Sequence, residues 1–142
     1  MLKVKIKLHP DGKEPLYALE GDAGLDLFTR EKIVLAPGER KLAPTGVYCA
    51  IPQGYEMQIR SKSGLSLKHG VIVLNSPGTI DSNYRGEIGV ILFNTSDKPV
   101  VFEKHMKVAQ AVFNKIPKVE WEHVEELDET QRSSGGFGST GR

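Results

Sequence analysis

The segment Gly78 Thr79 Ile80 Asp81 Ser82 Asn83 Tyr84 Arg85 Gly86 Glu87 sets a carboxylate three residues from an aromatic ring, bracketed by two glycines. Such a hairpin-like loop offers a base, a flat apolar surface and bare backbone N–H and C=O groups. A carboxylate beside a phosphate takes a proton from water as a general base, provided local positive charge or a metal offsets the charge of the substrate. Asp81 is the candidate for that base, with Gly78, Thr79 and Ile80 lending main-chain groups and Tyr84 its ring. Aspartate also caps turns for backbone reasons alone, so this segment by itself is compatible with a purely structural part. Asn75, six residues before Asp81, adds an amide that both donates and accepts.

Two further segments read as anion-binding chemistry. Arg60 Ser61 Lys62 Ser63 Gly64 Leu65 gathers two hydroxyls, two cations and a glycine within a few residues. If a short helix begins there and aims its N–H groups at an anion, this is a phosphate cradle; taken alone such a stretch is more often a basic surface loop. The end of the chain, Arg132 Ser133 Ser134 Gly135 Gly136 Phe137 Gly138 Ser139 Thr140 Gly141, sets a guanidinium and a ring among glycines. Those glycines let backbone N–H groups close over an anion while Phe137 stacks on a base. A Gly/Ser linker has a similar composition, but it has no use for Arg132 and Phe137. Two shorter runs, Ala23 Gly24 Leu25 Asp26 Leu27 and Lys107 Val108 Ala109 Gln110, place Asp26 and Gln110 in apolar surroundings. The four histidines show no paired ligand spacing, and Cys49 in its apolar run reads as a small core residue, so no zinc site is expected.

The elements that must position these groups are strands. Short apolar or alternating runs recur at Val4 to Leu8, Leu25 to Phe28, Ile33 to Leu35, Val47 to Ile51, Tyr55 to Arg60, Val71 to Leu74, Glu87 to Asn94, Val100 to Phe102 and Val108 to Ile116. Turn chemistry such as Pro37 Gly38 and Pro52 Gln53 Gly54 separates them. Alternating Lys3, Lys5 and Lys7 with Val4, Ile6 and Leu8 predicts a half-buried first strand. Ile88, Val90 and Leu92 oppose Ile91 and Phe93, so that strand needs apolar cover on both faces, as a central strand or at a subunit interface. Ser63 to His69 predicts a turn or two of helix. The expectation is an all-β, jelly-roll-like sandwich or barrel.

The 142 residues allow one hydrophobic core and one domain. We expect a β core over 1–117, a polar linker over 118–131 and a flexible Gly-rich C-terminal arm over 132–142. A net charge of +1 provides no field that would draw the whole molecule to nucleic acid or a membrane surface. No run approaches transmembrane length. With a single cysteine and no apolar leader, the chain reads as cytoplasmic.

The five segments, in this order and spacing, resemble the deoxyuridine triphosphate pyrophosphatase (dUTPase) family over almost the whole chain. That resemblance implies Mg2+-dependent hydrolysis of dUTP to dUMP and pyrophosphate, in a homotrimer with shared active sites. It implies that Asp81 orients the attacking water, that Tyr84 packs on the deoxyribose to exclude UTP, and that Asn75 and the main chain of Gly78 to Ile80 lie at the uracil. Gln110 corresponds to a glutamine near the α-phosphate, and Ser63 to the serine that touches the phosphate chain. Asp26 corresponds to the aspartate that holds magnesium through water. In the arm, the counterpart of Phe137 covers uracil while those of Arg132, Ser139 and Thr140 meet the terminal phosphate. Lys62 and Lys107 stand where arginine is usual, and His105 and Ser133 where glycine is usual. The related dCTP deaminases share the fold and much of the cradle, and a non-catalytic nucleotide-binding trimer would share the rest.

Overall fold

In the computed structural model, which describes residues 1–141, eleven strands and one short helix follow in the order β1 (Lys5–Leu8), β2 (Leu25–Phe28), β3 (Ile33–Leu35), β4 (Arg40–Pro44), β5 (Val47–Ala50), β6 (Tyr55–Arg60), α1 (Ser63–His69), β7 (Val71–Val73), β8 (Gly78–Ile80), β9 (Gly89–Asn94), β10 (Val100–Phe102) and β11 (Lys107–Lys115). A four-stranded sheet runs β2-β11-β6-β8 and a three-stranded sheet runs β4-β9-β7, with the ribbons β1-β5 and β10-β3 beside them. Every pairing is antiparallel. The fold is the jelly-roll-like β architecture expected.

The core follows the period of two that strands impose. Met57, Ile59, Ala109 and Ala111 from the larger sheet and Ala43, Val71, Val73, Val90 and Leu92 from the smaller are all buried in one cluster, with Leu35 and Phe102. Strand β9 lies between β4 and β7, which accounts for its two apolar faces: Val90 and Leu92 are buried, Ile91 and Phe93 half-buried.

Three sequence expectations need correction. Strand β1 is exposed throughout, with Ile6 and Leu8 both open to solvent, because it pairs only with β5 and has no second layer over it in this chain. Strand β4 carries Arg40, Lys41 and Pro44, whose polarity and turn propensity hid it. Gly78 to Glu87 is not one hairpin: Gly78–Ile80 pairs with β6 in the larger sheet, whereas β9 belongs to the smaller, so the segment between them crosses from sheet to sheet.

Candidate active site

Gln110 lies opposite Asp26 on one side and Arg60 on the other, so these three residues form a single row across β2, β11 and β6. Directly paired residues share a face. The Gln110 amide is held from two sides. Its Nε2 donates to the Ser61 carbonyl at 3.0 Å, and its Oε1 lies over Gly24, where a Cβ would come within 2.3 Å of it. Beyond Arg60 the chain turns into α1, whose first turn has no acidic residue and no side-chain cap. The first N–H groups of a helix have no intrahelical partner, so those of Ser63 and Gly64 stand at the end of the row. The Ser61 hydroxyl accepts the Val73 N–H at 2.8 Å, which ties this turn to β7.

Asp26 is 4% exposed. A lone carboxylate could not be buried there in charged form without partners. Two ammonium groups supply them: Lys62 Nζ meets Oδ1, and Lys107 Nζ meets Oδ2 at 3.0 Å. Burial pushes the Asp26 carboxyl up, but the hydrogen bonds from Lys62 and Lys107 together outweigh it and hold the group below its ordinary value.

A second cluster forms where β8 ends. Asp81 is exposed and closes a turn by accepting the Tyr84 N–H on its carbonyl at 3.1 Å. It borders two open concavities. One, of about 290 Å3, is walled by Leu42, Thr79, Ile80, Tyr84 and Ile91, which is room for a nucleoside; the other, of about 760 Å3, runs past Tyr55 and Arg85 to Lys118. The Tyr84 hydroxyl donates to the Glu87 carbonyl at 2.7 Å, which fixes the ring over Gly86, where a Cβ would strike it. Asn75, exposed, lies against Gly78 with its Nδ2 3.2 Å from where a Cβ would stand.

The two clusters are apart. Ile80 pairs with Met57, and Arg60 with Gln110, so Asp81 stands about four residues along β6 from the Gln110 row, roughly 13 Å at the rise of a strand. The C-terminal segment makes a third group. After Lys115 the described residues form no helix or strand, and Phe137 is exposed. Arg132 turns back on its own arm, its Nε donating to the Gly135 carbonyl at 2.6 Å. Within one chain the Gln110 row, the Asp81 turn and the C-terminal segment therefore remain three separate pieces. Sequence reasoning missed the pairing of Arg30 with Glu87, 57 residues apart, for which no local signal exists, and gave Lys107 no role although it sits in a segment singled out for Gln110.

The chain belongs to a class of nucleotide-hydrolysing enzymes, as its family match and its relatives show. The dUTPase family model matches residues 11–141, and the chain belongs to that family. It is 52% identical over 141 residues to the deoxyuridine 5'-triphosphate nucleotidohydrolase of Clostridium tetani, covering 99% of this chain and 97% of that one. To the enzyme of the same name from Hydrogenobaculum it is 55% identical over 136 residues, covering 95% and 94%. Among solved structures it is similar to a Staphylococcus bacteriophage 80alpha dUTPase mutant with dUpNHpp, at TM-score 0.91 and 28% identity, covering 99% of both chains. A mutant dUTPase from phage phi11 of S. aureus, described with a structural Mg(II) ion, is similar at TM-score 0.81 and 27% identity, covering 88% of this chain and 98% of that one. Among the described residues no helix is long and apolar enough to cross a membrane.

Proposed function

We propose that this chain hydrolyses dUTP to dUMP and pyrophosphate by in-line attack of an Asp81-activated water on the α-phosphorus, in sites shared among three copies. The reaction removes dUTP and supplies dUMP for dTTP synthesis; one free thiol, Cys49, suits a reducing cytoplasm. The observation that supports this reading most directly is the separation of the three clusters. Asp81 faces solvent roughly 13 Å from the Gln110 row, and Phe137 is exposed. Each piece therefore needs the others from a neighbouring copy, and a homotrimer supplies them.

In this arrangement Arg60, Ser61, Lys62, Ser63 and Gly64 receive the phosphate chain, with Gln110 beside the water. Asn75, Gly78, Thr79 and Ile80 read uracil, and Tyr84 lies under the sugar. A 2′-hydroxyl at Tyr84 would lose water without gaining a partner, which excludes UTP. Arg132, Gly136, Phe137, Gly138, Ser139 and Thr140 close over the base and terminal phosphate. No covalent intermediate is needed, since the base, the donors and the departing pyrophosphate suffice.

Among the described residues no three His, Cys, Asp or Glu side chains are grouped to hold a metal ion. Asp26 gives each oxygen to one ammonium group and keeps lone pairs for water. With those lone pairs Asp26 would be the residue to hold, through water, a Mg2+ ion bound with the triphosphate. Such an ion would draw charge from the departing pyrophosphate. A magnesium assay of dUTP, dCTP, dTTP and UTP that follows pyrophosphate and ammonia together tests the reading. Pyrophosphate from dUTP alone supports it; ammonia from dCTP would make the chain a deaminase, and binding of dUTP without turnover would make it a non-catalytic binder.

A further inference from the structure

The β-bulge in β11 has a chemical result. In a regular strand Lys107 and Gln110, three residues apart, would point to opposite faces. The register against β2 instead jumps from Lys107 opposite Phe28 to Ala109 opposite Leu27, leaving Val108 as the extra residue. Phe28 and Asp26 alternate onto one face of β2, so the bulge moves Lys107 onto the face of Asp26 and Gln110. Lys62, two residues past the end of β6 at the start of α1, reaches the other oxygen of the same carboxylate. Two segments far apart in sequence, the turn into α1 and the start of β11, thus deliver two ammonium groups to one buried oxygen pair.

The charges do not cancel. Two ammonium groups against one carboxylate leave one positive unit at the end of the row that carries Gln110 and Arg60. Lys107 remains half exposed while tethered. Lysine is a point charge on a flexible stem, so without a tether it loses side-chain freedom each time it meets an anion. A buried acceptor that holds each Nζ by one hydrogen bond removes most of that cost and leaves the other N–H donors of each ammonium free.

We infer that Asp26 is a positioning residue that converts Lys62 and Lys107 into a preorganised two-ammonium clamp for the phosphate chain of the nucleotide, with Lys107 a direct phosphate contact. The inference rests on the dUTPase reading above, and it gives Asp26 a part that is independent of any metal. The two parts separate cleanly in EDTA. As a mere negative charge near an anion, Asp26 weakens binding, so its removal would strengthen it. As an acceptor for metal-bound water alone, its removal would change nothing without Mg2+. As the anchor of two lysines, its removal weakens binding even without Mg2+.

The experiment is calorimetric titration of the full-length oligomer with dUpNHpp in EDTA and again in Mg2+, for the wild type, Asp26→Asn, Lys107→Met and Lys107→Arg. The clamp predicts that Asp26→Asn and Lys107→Met each weaken binding in EDTA by about tenfold, the loss of one charge-assisted contact, and that Lys107→Arg restores most of it. Tighter or unchanged binding of Asp26→Asn in EDTA overturns the positioning role. If that variant does not fold, Lys107→Met decides, and wild-type affinity for it in EDTA overturns the clamp. A wild-type protein that fails to bind dUpNHpp even in Mg2+ would instead sink the dUTPase reading on which the clamp rests.

Discussion

Glu87 grips Arg30 with both carboxylate oxygens, Oε2 to Nε at 2.7 Å and Oε1 to Nη2 at 3.3 Å, and Oε2 also accepts the Gly46 N–H at 2.8 Å. The same residue receives the Tyr84 hydroxyl on its carbonyl. The link that crosses from β8 to β9 is therefore fixed at its far end to the turn between β4 and β5. Arginine matches a carboxylate in this two-pronged way and lysine does not.

Glu87→Gln removes the charge and leaves the shape. The Arg30 hydrogen bond, with help from the Gly46 N–H, outweighs burial and holds the Glu87 carboxyl below its ordinary value of 4.5. A depressed carboxyl contributes stability that is fully present above its unfolded pKa and lost as pH falls through its folded pKa. The variant should melt roughly 3–6 °C lower than wild type at pH 7. Melts at a series of pH values should show the gap closing below the ordinary Glu value. A gap that stays constant with pH would remove the ion pair as its cause. The KM for dUTP should rise more than kcat falls, because Tyr84 is loosened while Asp81 is kept.

Asp81→Asn retains the turn at Asp81, which rests on a backbone hydrogen bond to Tyr84. Affinity for dUpNHpp should stay within about threefold, whereas kcat for dUTP should fall by roughly 10²–10⁴, the worth of a positioned general base. Single-turnover kinetics beside equilibrium binding make the distinction. Undiminished turnover would remove Asp81 from the chemistry.

How much of this is legible in the sequence differs by element. Strands with an uninterrupted apolar period, such as β6 and β9, can be read within a few residues. Strand β4 cannot, because Leu42 and Ala43 are enclosed by Arg40, Lys41 and Pro44 and owe their place to pairing with β9. Strand β8 reads as loop because three residues beginning with glycine have no period to show. Among the candidate site residues, Asp81, Tyr84 and Phe137 stand out in the sequence by type and spacing alone. Lys107 cannot be given its part, since the bulge at Val108 that redirects it shows only in the pairing of β11 with β2. Arg30 and Glu87 meet only through the fold.

Removal of the chain from Arg132 onward should leave the melting temperature within about 2 °C of wild type, because none of the described residues of that segment is buried and none belongs to the core cluster. Turnover should drop by at least roughly 10²-fold, as the base and terminal phosphate lose their cover. A thermal melt, size-exclusion chromatography and a dUTP assay on the truncated protein check this together. Loss of the folded oligomer would show that the arm carries structure rather than closure.

Gly24→Ala isolates the Gln110 amide. The new methyl would stand 2.3 Å from Gln110 Oε1, inside any permitted contact. Because the obstructing atom is the end of a flexible side chain, the cheapest relief is rotation of Gln110 away from the row, which breaks its bond to the Ser61 carbonyl. Stability should change by less than about 1.5 kcal/mol, the range for losing one partly buried hydrogen bond. kcat should fall by about 10-fold or more, as a displacement of about 1 Å near the reacting phosphate does. Gln110→Ala should show a similar loss, and the double variant should lose no more than either single, since both remove one amide. Additive losses in that cycle would mean that Gly24 acts through the backbone of β2 and that Gln110 is not the group it positions.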